Sequence, residues 1–451
     1  MKTIIVGAGI SGLTTAYALL QRQPNLELTI LESSARPGGK ILSDRTDGYL
    51  CEWGVNAFLD SKPKTLELAR SLSLAPVSSY ELSRHRFVFS DHKLQELPAS
   101  PPAFITSGLI SWPGKVRMAL EVMVPRTNKP EETLKDFAIR RLGNEAYQKL
   151  IDPMASGVFA GDPAAMSVNS CFPRIKEIER DYRSLILGLV RLQVSARKTG
   201  NTERPQAGPG GKLTSFYNGM SELSNALANS LGPRLVLNTA VHSLMRHSGY
   251  YRLQLANGTE QEAERVILAA PAYAQAAILQ ELAPDIVSIL NEIQYPPLAI
   301  CALGFRREKV PHELAGFGFL VPSREHRRIL GTLWDVSIFP NRAPEGYVLL
   351  RTMVGGARAA DYATEDPDKL AAMVRAELAD IMGITAEPDF VKTFRHHKSI
   401  PQYNVGHAGR LATIERLLVN YPNLVLTGNA YKGVALNDCV ANAYQLASSL
   451  K

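Results

Sequence analysis

The sequence predicts an α/β fold with a discontinuous Rossmann-like nucleotide-binding domain, a second domain built on a mixed sheet, and an inserted helical region. Three observations support this prediction of the fold. A strand, a glycine-rich turn and a helix open the chain, two later segments supply matching strands and helices, and an apolar, proline-punctuated stretch lies between them. The 451 residues, 45% of them hydrophobic, are enough for two or three domains with a large core.

The first forty residues have the pattern of a phosphate-binding strand, turn and helix. A short apolar strand ends at Val6, and Gly7, Gly9 and Gly12 follow it ahead of an amphipathic helix. In this pattern the first glycine allows a tight turn, the second lets backbone N–H groups approach a pyrophosphate, and the third lets the helix pack on the strand. The helix N-terminus adds partial positive charge beneath the phosphates.

An acidic residue and a second pair of glycines extend this motif. The alternating strand LELTILE ends in Glu32, about twenty residues after the third glycine, which is the spacing of a ribose-binding acid. The run SSARPGGK follows directly and adds four candidate dinucleotide contacts: Arg36, Gly38, Gly39 and Lys40. NAD-dependent dehydrogenases have no need of this extension. The alternative interpretation is a glycine-rich turn with a solvated arginine.

The SSARPGGK run resembles the second half of the dinucleotide fingerprint in flavoprotein oxidases of the amine oxidase and protoporphyrinogen oxidase superfamily. Four further stretches resemble the oxygen-dependent protoporphyrinogen oxidases, and they span the chain in the same order. They are GYLCEWGVNAFL (48–59), LGNEAYQKLIDPMASGVFAGDPAAMS (142–167), PQYNVGH (401–407) and GNAYKGVALNDC (428–439). The resemblance implies a non-covalently bound FAD, with Arg36 as a phosphate contact.

The resemblance also implies how the chain is divided. We expect an FAD-binding domain from residues 1–60, 208–275 and 400–451, and a mixed-sheet substrate-binding domain from 61–94 and 276–399. Residues 95–207 would be the inserted helical region, which faces a membrane. The strands AICALGF, GFGFLVP and YVLLRTMVGG would belong to the substrate-domain sheet.

The second FAD segment begins with the glycine-rich run GPGGKL and continues into an amphipathic helix. Three strands follow it: RLVLNTAVHSL, YYRLQLANG and VILAAP. In flavoproteins of this type the strand that carries Val241 passes the adenine, whose ring its backbone can bind. Asn56 matches a position near the flavin. The alternatives are that Val241 is a core strand residue and Asn56 a turn residue.

The third segment predicts a buried strand from Leu424 to Leu426, a loop, and a helix that begins near Gly433. The N-terminus of this helix would point at the flavin ring and stabilise negative charge on the reduced ring. Gly428, Gly433 and Val434 are the candidate ring contacts. An ordinary strand–loop–helix connection is the alternative.

Two residues are candidate substrate contacts, both through the resemblance. Arg86 in HRFVF matches an arginine that holds a propionate, and a guanidinium fork suits a carboxylate. Gly157 in SGVFAGD matches a glycine whose backbone approaches the meso carbon to be oxidised. Without the resemblance, Arg86 would be a surface arginine and Gly157 a turn or helix-end glycine.

The implied reaction is the FAD-dependent oxidation of protoporphyrinogen IX to protoporphyrin IX, with a hydride passing to flavin N5 and dioxygen forming hydrogen peroxide. No residue is assigned as a catalytic base, because pyrrole nitrogens can lose protons to water. The nine histidines are scattered, and we expect His396, His397 and His407 to be structural or solvated. We expect no metal site.

The net charge and the cysteine content limit which partners and which cellular compartment we expect for the protein. The net charge of +7 occurs without a dense basic block or interleaved aromatics, which excludes nucleic acid as the expected partner. The four cysteines are far apart, which indicates a reducing compartment. No signal or transit peptide is expected before the first strand. We therefore expect a location in the cytoplasm or on the cytoplasmic face of the inner membrane.

The run SPPAFITSGLISWPGKVRMALEVMVPR is apolar and carries Trp112, Lys115 and Arg117, as suits insertion into one leaflet. A helical cap over the active site is the alternative. The resemblance leaves a homodimer and a ferrochelatase as further candidate partners, besides the porphyrinogen and dioxygen.

Three other functions stay open. Coproporphyrinogen III, with four carboxylates rather than two, would be oxidised by the same chemistry. An amine oxidase of the same fold is disfavoured, because Arg86 would repel an ammonium group. A non-catalytic carrier would bind flavin without consuming oxygen.

Overall fold

The computed structural model of the chain describes residues 1–127, 129–198 and 211–450, and it confirms the α/β class. Two large sheets, one parallel and one mixed, carry helices, and a further group of helices lies between residues 101 and 198. The run from Gly208 to Gly210, which we predict to open the second nucleotide-binding segment, lies outside the described residues, as do positions 199–207 of the predicted helical region.

The strands of the described residues are β1 (Thr3–Val6), β2 (Leu28–Leu31), β3 (Ser43–Thr46), β4 (Tyr49–Glu52), β5 (Phe58–Leu59), β6 (Val77–Ser78), β7 (Phe87–Ser90), β8 (Lys93–Glu96), β9 (Leu213–Ser215), β10 (Leu235–Val236), β11 (Val241–Arg246), β12 (Tyr251–Leu255), β13 (Glu260–Ala263), β14 (Arg265–Leu268), β15 (Leu298–Arg306), β16 (Gly318–Leu320), β17 (Gly331–Trp334), β18 (Tyr347–Gly355), β19 (Phe390–His396) and β20 (Leu424–Leu426).

The helices are α1 (Ile10–Arg22), α2 (Pro63–Ser71), α3 (Pro101–Thr106), α4 (Trp112–Ala119), α5 (Leu134–Leu142), α6 (Asn144–Ala146), α7 (Asp152–Phe159), α8 (Val168–Cys171), α9 (Pro173–Tyr182), α10 (Leu185–Lys198), α11 (Ser221–Leu231), α12 (Ala272–Ile278), α13 (Pro284–Asn291), α14 (Asp335–Ile338), α15 (Pro367–Met382), α16 (His407–Leu418) and α17 (Leu436–Ser449).

The first sheet has five parallel strands in the order β10-β2-β1-β14-β20, so it is assembled from distant parts of the chain. Both faces are buried, as is usual for parallel sheets. Ile5 and Ile267 pack with residues of α1 and α17, whereas Ile4 and Val266 pack with residues of α12 and α13. The predicted domain boundary after residue 275 therefore falls inside α12, a helix of this core.

The strand predicted over RLVLNTAVHSL is two strands in the structure. β10 joins the first sheet beside β2, whereas β11 pairs with β12 in a separate three-stranded sheet. Asn238 lies between them with φ of 52°, a left-handed conformation that ends the extended run. Its N–H donates to the carbonyl of Ser34 at 3.0 Å, which ties the turn to the end of β2.

The second sheet has seven strands in the order β19-β15-β18-β17-β16-β7-β8 and is antiparallel except where β16 meets β7. The three strands that the sequence analysis places in a common sheet, β15, β16 and β18, all belong to it. Val374 of α15 packs into the core on one face with Leu350, and Trp53 packs on the other face with Phe394.

A buried ionic cluster holds the helices between residues 101 and 198 together. Arg141 has no exposed surface and pairs with Glu121 at 3.0 Å and with Glu179 at 2.6 Å. Burial alone would disfavour ionisation, but hydrogen bonds from Lys176, Arg140 and Arg141 lower the pKa of the Glu179 carboxyl to about 2. No helix of the described ranges is both long and apolar enough to cross a bilayer.

Two alanine substitutions in the glycine motif separate packing from ligand contact. A Cβ at Gly12 would lie 2.0 Å from the carbonyl oxygen of Gly7, whereas a Cβ at Gly9 would meet nothing within 4 Å. We expect Gly12→Ala to lower the free energy of unfolding of the FAD-free protein by about 1–3 kcal/mol, because the overpacked helix must move. Gly9→Ala, with φ of −70°, is the control and should change it little. Equal values in chemical denaturation would contradict this packing role.

Candidate functional site

A cavity of about 580 Å³ opens at the carboxyl ends of β1, β2, β14 and β20. Open α/β sheets bind their ligands at this edge. Gly12, Asn56 and Gly433 are absent from the lining. The other predicted cofactor contacts line it: Gly7, Gly9, Glu32, Arg36, Gly38, Gly39, Lys40, Val241, Gly428 and Val434.

The turn after β1 leaves a helix N-terminus open towards the cavity. Gly7 turns the chain with φ of 104°, and Gly12 lets α1 pack directly on this turn. Gly9 precedes α1, and no side chain in the described ranges caps the helix there. The first N–H groups of α1, together with the space beside Gly9, can therefore receive a pyrophosphate.

Glu32 directly follows β2, and its carboxylate lies at the cavity. One oxygen accepts the N–H of Ala8 at 2.7 Å, and the other accepts the N–H and the hydroxyl of Ser34 at 2.9 and 2.7 Å. An ionised carboxylate has acceptor capacity beyond these bonds. The side chain is thus fixed in place and can still accept the hydroxyl groups of a ribose.

Arg36 folds its own loop. Its guanidinium donates to the carbonyl groups of Pro37, Gly39 and Ile41 at 3.1, 2.8 and 3.0 Å. Burial lowers the pKa of Arg36 and also that of Lys40, whose Nζ donates to a carbonyl of the segment after β19. The direct phosphate contact of Arg36 stays a prediction, and closing the loop is a role that the sequence did not reveal.

Val241 begins β11 at the same cavity, beside Thr239 and Ala240. The N–H of Thr239 donates to the carbonyl of Glu32 at 2.7 Å, so the second segment is tied to the end of β2. This places the backbone that we expect to pass the adenine next to the expected ribose acid.

The C-terminal segment brings Gly428 and Val434 to the cavity, but α17 does not begin near Gly433 as predicted. Gly433 has φ of 73°, and a Cβ there would come within 2.3 Å of the Asp438 side chain. This glycine makes a tight turn ahead of the helix, which begins at Leu436. Leu436 itself lines the cavity, so the N-terminus of α17 lies at the site.

Gln275, which sequence reasoning missed, ties the strand ends together beneath the cavity. Its side-chain nitrogen donates to the carbonyl groups of Leu268, Ala270 and Thr427 at 3.1, 2.6 and 3.0 Å. These carbonyls lie at the ends of β14 and β20. A single glutamine in the alanine-rich helix α12 gives no sign of this role in the sequence.

A second wall of the cavity comes from the second sheet. Phe394 and His396 of β19 line it, although we expected His396 to be structural or solvated. The Nε2 of His396 lies 2.6 Å from the carbonyl of Trp53, which can only accept, so Nε2 carries the hydrogen. Burial lowers the pKa of His396, and the nearby cations Lys40 and Arg36 lower it further. The hydrogen bond to the Trp53 carbonyl acts in the opposite direction, but the net effect favours the neutral imidazole.

A buried ion pair joins the second sheet to the segment that carries Asn56. Arg351 contacts both carboxylate oxygens of Asp335 at 2.8 Å, and it donates to the carbonyl of Glu52 and to Asn56 Oδ1 at 2.5 and 2.8 Å. Asn56 Nδ2 is buried and has no hydrogen-bond partner within the described ranges. Asn56 is thus held by Arg351, whereas its neighbour Val55 lines the cavity.

The Glu52 side chain is buried beside this pair. Burial raises the pKa of its carboxyl to about 7, against the lowering effect of hydrogen bonds from Ser43 and the Met220 N–H and of the nearby arginines. Uncharged Glu52 is therefore the form that the folded protein favours below neutral pH.

Arg86 and Gly157 lie outside the cavity lining, on the second sheet and the helix above it. Arg86 is half-buried, its guanidinium lies 5.3 Å from the ring centre of Phe317, and burial lowers its pKa. No acidic side chain pairs with it in the part of the chain that the structure describes. Gly157 lies within α7, and a Cβ there would be 2.3 Å from the Leu320 side chain, so the glycine lets the helix approach the sheet.

The set of groups at the cavity fits FAD. The open N-terminus of α1 suits the pyrophosphate, Glu32 the ribose, and the Val241 strand the adenine. The loop before α17, with Phe394 and His396 opposite, would hold the ring.

Comparison with known proteins agrees with this assignment. A family described as flavin containing amine oxidoreductase matches residues 10–450. The chain is 32% identical over 452 residues to a coproporphyrinogen III oxidase of Bacillus subtilis (strain 168), covering 97% of this chain and 95% of that protein. It is also 32% identical over 472 residues to a chloroplastic protoporphyrinogen oxidase of Oryza sativa subsp. japonica, covering 99% and 87%.

Solved structures show the same fold. One is the crystal structure of a protein from Exiguobacterium sp. 255-15, which is named provisionally as a protoporphyrinogen oxidase. It superposes with a TM-score of 0.83 at 27% sequence identity, over 99% of this chain and 98% of that one. A putrescine oxidase superposes with a TM-score of 0.66 at 16% identity over 99% and 98%, which shows the fold alone.

The buried Glu52 carboxyl gives a prediction about pH. Its folded pKa of about 7 exceeds its usual value of 4.5, so the stability that it contributes is complete below pH 4.5 and is lost as the pH rises through 7. Glutamine does not titrate, so Glu52→Gln should not show this loss. We expect its free energy of unfolding to rise relative to that of the unmodified protein by up to about 3 kcal/mol between pH 4.5 and pH 7. Urea unfolding across this range measures the gap. The exposed Glu27→Gln is the control, and a gap that does not change with pH would contradict the prediction.

Proposed function

The chain belongs to the flavin containing amine oxidoreductase family and is an FAD-dependent oxidoreductase, and from this premise we propose that it oxidises protoporphyrinogen IX to protoporphyrin IX. The protoporphyrinogen oxidases of rice and tobacco, each 32% identical over nearly the whole chain, support this substrate. When bound, FAD supplies N5 as the acceptor of the hydride removed from the macrocycle, and dioxygen takes up the electrons as hydrogen peroxide.

A row of paired residues across the second sheet is the main support for this proposal. Phe394 pairs with Ile300, Ile300 with Met353, Met353 with Gly331 and Gly331 with Leu320. Partners in antiparallel register share one face of a sheet. The row therefore leads from the cofactor wall at Phe394 to Leu320, which contacts α7 at Gly157.

This row supports a place for an apolar macrocycle along the face of the sheet, between the cofactor wall and the point where α7 meets Leu320. Met353 and Leu320 are partly exposed, so their side chains offer apolar surface. Helix α7 is fixed above them, because Asp152 accepts the N–H of Ser323 at 2.8 Å and pairs with Arg358. Arg86 directly precedes β7, the strand that pairs with β16 beside Leu320. As a guanidinium without a counter-charge, it would bind a propionate bidentately.

Coproporphyrinogen III is the second candidate substrate. The coproporphyrinogen III oxidase of Bacillus subtilis is as similar to this chain as the rice protein is. Two cations near β7 and β16, Lys149 and Arg324, each pair with Asp91. Of these two cations and Arg86, only Arg86 is not paired with an acidic side chain among the described residues, so it alone is available to bind a carboxylate of the substrate. We therefore favour the substrate with two carboxylates.

A peripheral membrane contact through α4 and the turn after it is also part of the proposal. Trp112 is 66% exposed and Met123 72% exposed, which places two large apolar side chains in solvent. Lys115 lies over the Trp112 ring and donates to backbone carbonyls, and Arg117 donates to the carbonyls that end α5. The apolar side chains, rather than these two cations, would enter the leaflet. The homodimer and the ferrochelatase partner stay predictions.

Turnover of both porphyrinogens by the FAD-loaded protein tests the substrate. We expect faster oxidation of protoporphyrinogen IX than of coproporphyrinogen III, measured through porphyrin fluorescence and peroxide. Arg86→Leu should lower kcat/KM by roughly tenfold to a hundredfold, the effect of losing a charge-assisted hydrogen bond of about 1.5–3 kcal/mol. Arg84→Leu, at an exposed site two residues away, is the control. Preference for the second substrate would favour the coproporphyrin-forming reaction, and turnover of neither would refute both.

Co-sedimentation with lipid vesicles tests the membrane contact. We expect the variant with Trp112→Ser and Met123→Ser to lose most of its vesicle binding, because these side chains supply the apolar surface. The control is Val419→Ser, which removes an equally exposed apolar residue from the end of α16. Equal binding by all three proteins would rule out α4 as the contact.

A further inference from the structure

The segment PQYNVGH, residues 401–407, takes no part in the reaction proposed above, although it is one of the stretches that resemble the oxygen-dependent protoporphyrinogen oxidases. In the structure it lies between the C-terminal loop, helix α7 and the inserted helices. The hydroxyl of Tyr403 donates to the carbonyl of Asn429 at 2.5 Å, and the side chain of Gln402 donates to the carbonyl of Phe159 at 3.0 Å. The N–H of Ser167 donates to the carbonyl of Tyr403 at 2.8 Å.

Tyr403 and His407 act on the loop as a pair. Their rings stack with centres 4.1 Å apart and planes within 12°, and both side chains are almost fully buried. The Nε2 of His407 lies 3.4 Å from the carbonyl of Tyr431, so this nitrogen carries the hydrogen. Each ring therefore offers one donor to the loop and supports the other ring.

The loop itself is held from outside along its length. The carbonyl groups of Thr427, Asn429, Tyr431 and Lys432 accept hydrogen bonds from Gln275, Tyr403, His407 and Asn442. Gly428 and Asn429 line the cofactor cavity. The N–H groups of Thr427 and Tyr431 donate to the carbonyl groups of Leu268 and Gly428. Those of Gly428 and Asn429, at the cavity, have no acceptor among the described residues and can meet a ligand.

Gln402 connects the same segment to the other side of the site. Phe159 is the last residue of α7, the helix that carries Gly157. The neighbouring residues 402 and 403 thus hold α7 and the cofactor loop, and the short connection between them sets how far apart the two elements lie.

We propose that Tyr403 and His407 are positioning residues that hold the C-terminal loop so that its N–H groups stabilise negative charge on the reduced flavin, and that Gln402 sets the distance from the flavin to helix α7. Donors fixed before the reaction stabilise developing charge without reorganisation. The part that concerns Gln402 rests on the proposed function, whereas the part that concerns Tyr403 and His407 requires FAD alone.

Tyr403→Phe keeps the ring stacking and removes only the hydroxyl. We expect the dissociation constant of FAD to rise about threefold to tenfold, as follows from loss of one hydrogen bond, and the midpoint potential of the bound flavin to fall. Tyr251→Phe is the matched control, because that buried hydroxyl donates to the carbonyl of Pro422 at 2.8 Å, away from the cavity. Identical FAD affinity and potential in the two variants would overturn the proposal for Tyr403.

His407→Gln and His407→Leu separate donation from packing. Glutamine retains an N–H donor at a similar reach, so it should keep the potential near that of the unmodified protein, whereas leucine should lower it. If both variants lower the potential equally, His407 acts by packing and the proposed donation is wrong. If neither does, His407 does not position the loop.

Gln402→Met keeps the side-chain volume and removes the donor to Phe159. We expect a lower kcat/KM for the porphyrinogen with the FAD affinity and flavin potential unchanged, because the variant frees only the C-terminal end of α7 and leaves the cofactor loop in place. A change in potential, or none in kcat/KM, would overturn this part. If the unmodified protein oxidises neither porphyrinogen, the proposed function fails, while the potentials of the Tyr403 and His407 variants still decide the other part.

Discussion

Parallel pairing of β1, β2, β14 and β20 is the constraint on which the site depends. These strands lie far apart in the sequence, yet their register aligns Val6 with Leu31 and with Leu268, and Leu268 with Leu426. Their carboxyl ends therefore meet at one edge. The groups that would bind phosphate, ribose and ring come together there only because the sheet is formed. Gln275 shows how tightly this edge is held, since one side chain bonds the ends of two strands.

The second sheet contributes through a buried ionic joint as well as through apolar packing. Arg351 is buried and charged, and such a group is tolerable because Asp335 neutralises it and two further oxygens accept its remaining donors. This geometry fixes the segment from Glu52 to Asn56 against the sheet, next to Val55 at the cavity. The wall formed by Phe394 and His396 is thereby held in register with the nucleotide-binding sheet.

Local patterns in the sequence predicted many of the residues that line the cavity, whereas contacts between distant segments were not predictable from them. Gly7, Gly9 and Glu32 have spacings set by one turn and one helix, and the glycine pair of SSARPGGK follows directly, so the sequence alone is enough to place them at the cavity. The split between β10 and β11 depends on hydrogen bonds from residues 238 and 239 back to β2, which no local pattern contains. His396 was missed for the same reason, because its alternating strand belongs to another sheet. The start of α17 was misplaced because the Gly433 turn packs against Asp438.

The wide separation of the strands also has a consequence for biosynthesis. When β1 and β2 have emerged from the ribosome, the nascent chain contains the glycine motif and Glu32. At that point β14 and β20 have not yet been synthesised. Only a chain that reaches α17 contains every wall of the cavity. Cofactor loading is therefore an event of the finished fold, and a nascent chain must remain competent without the ligand that later stabilises it. A chain that stops before α17 lacks the wall formed by Leu436 and Cys439, so it presents the cofactor with an incomplete cavity.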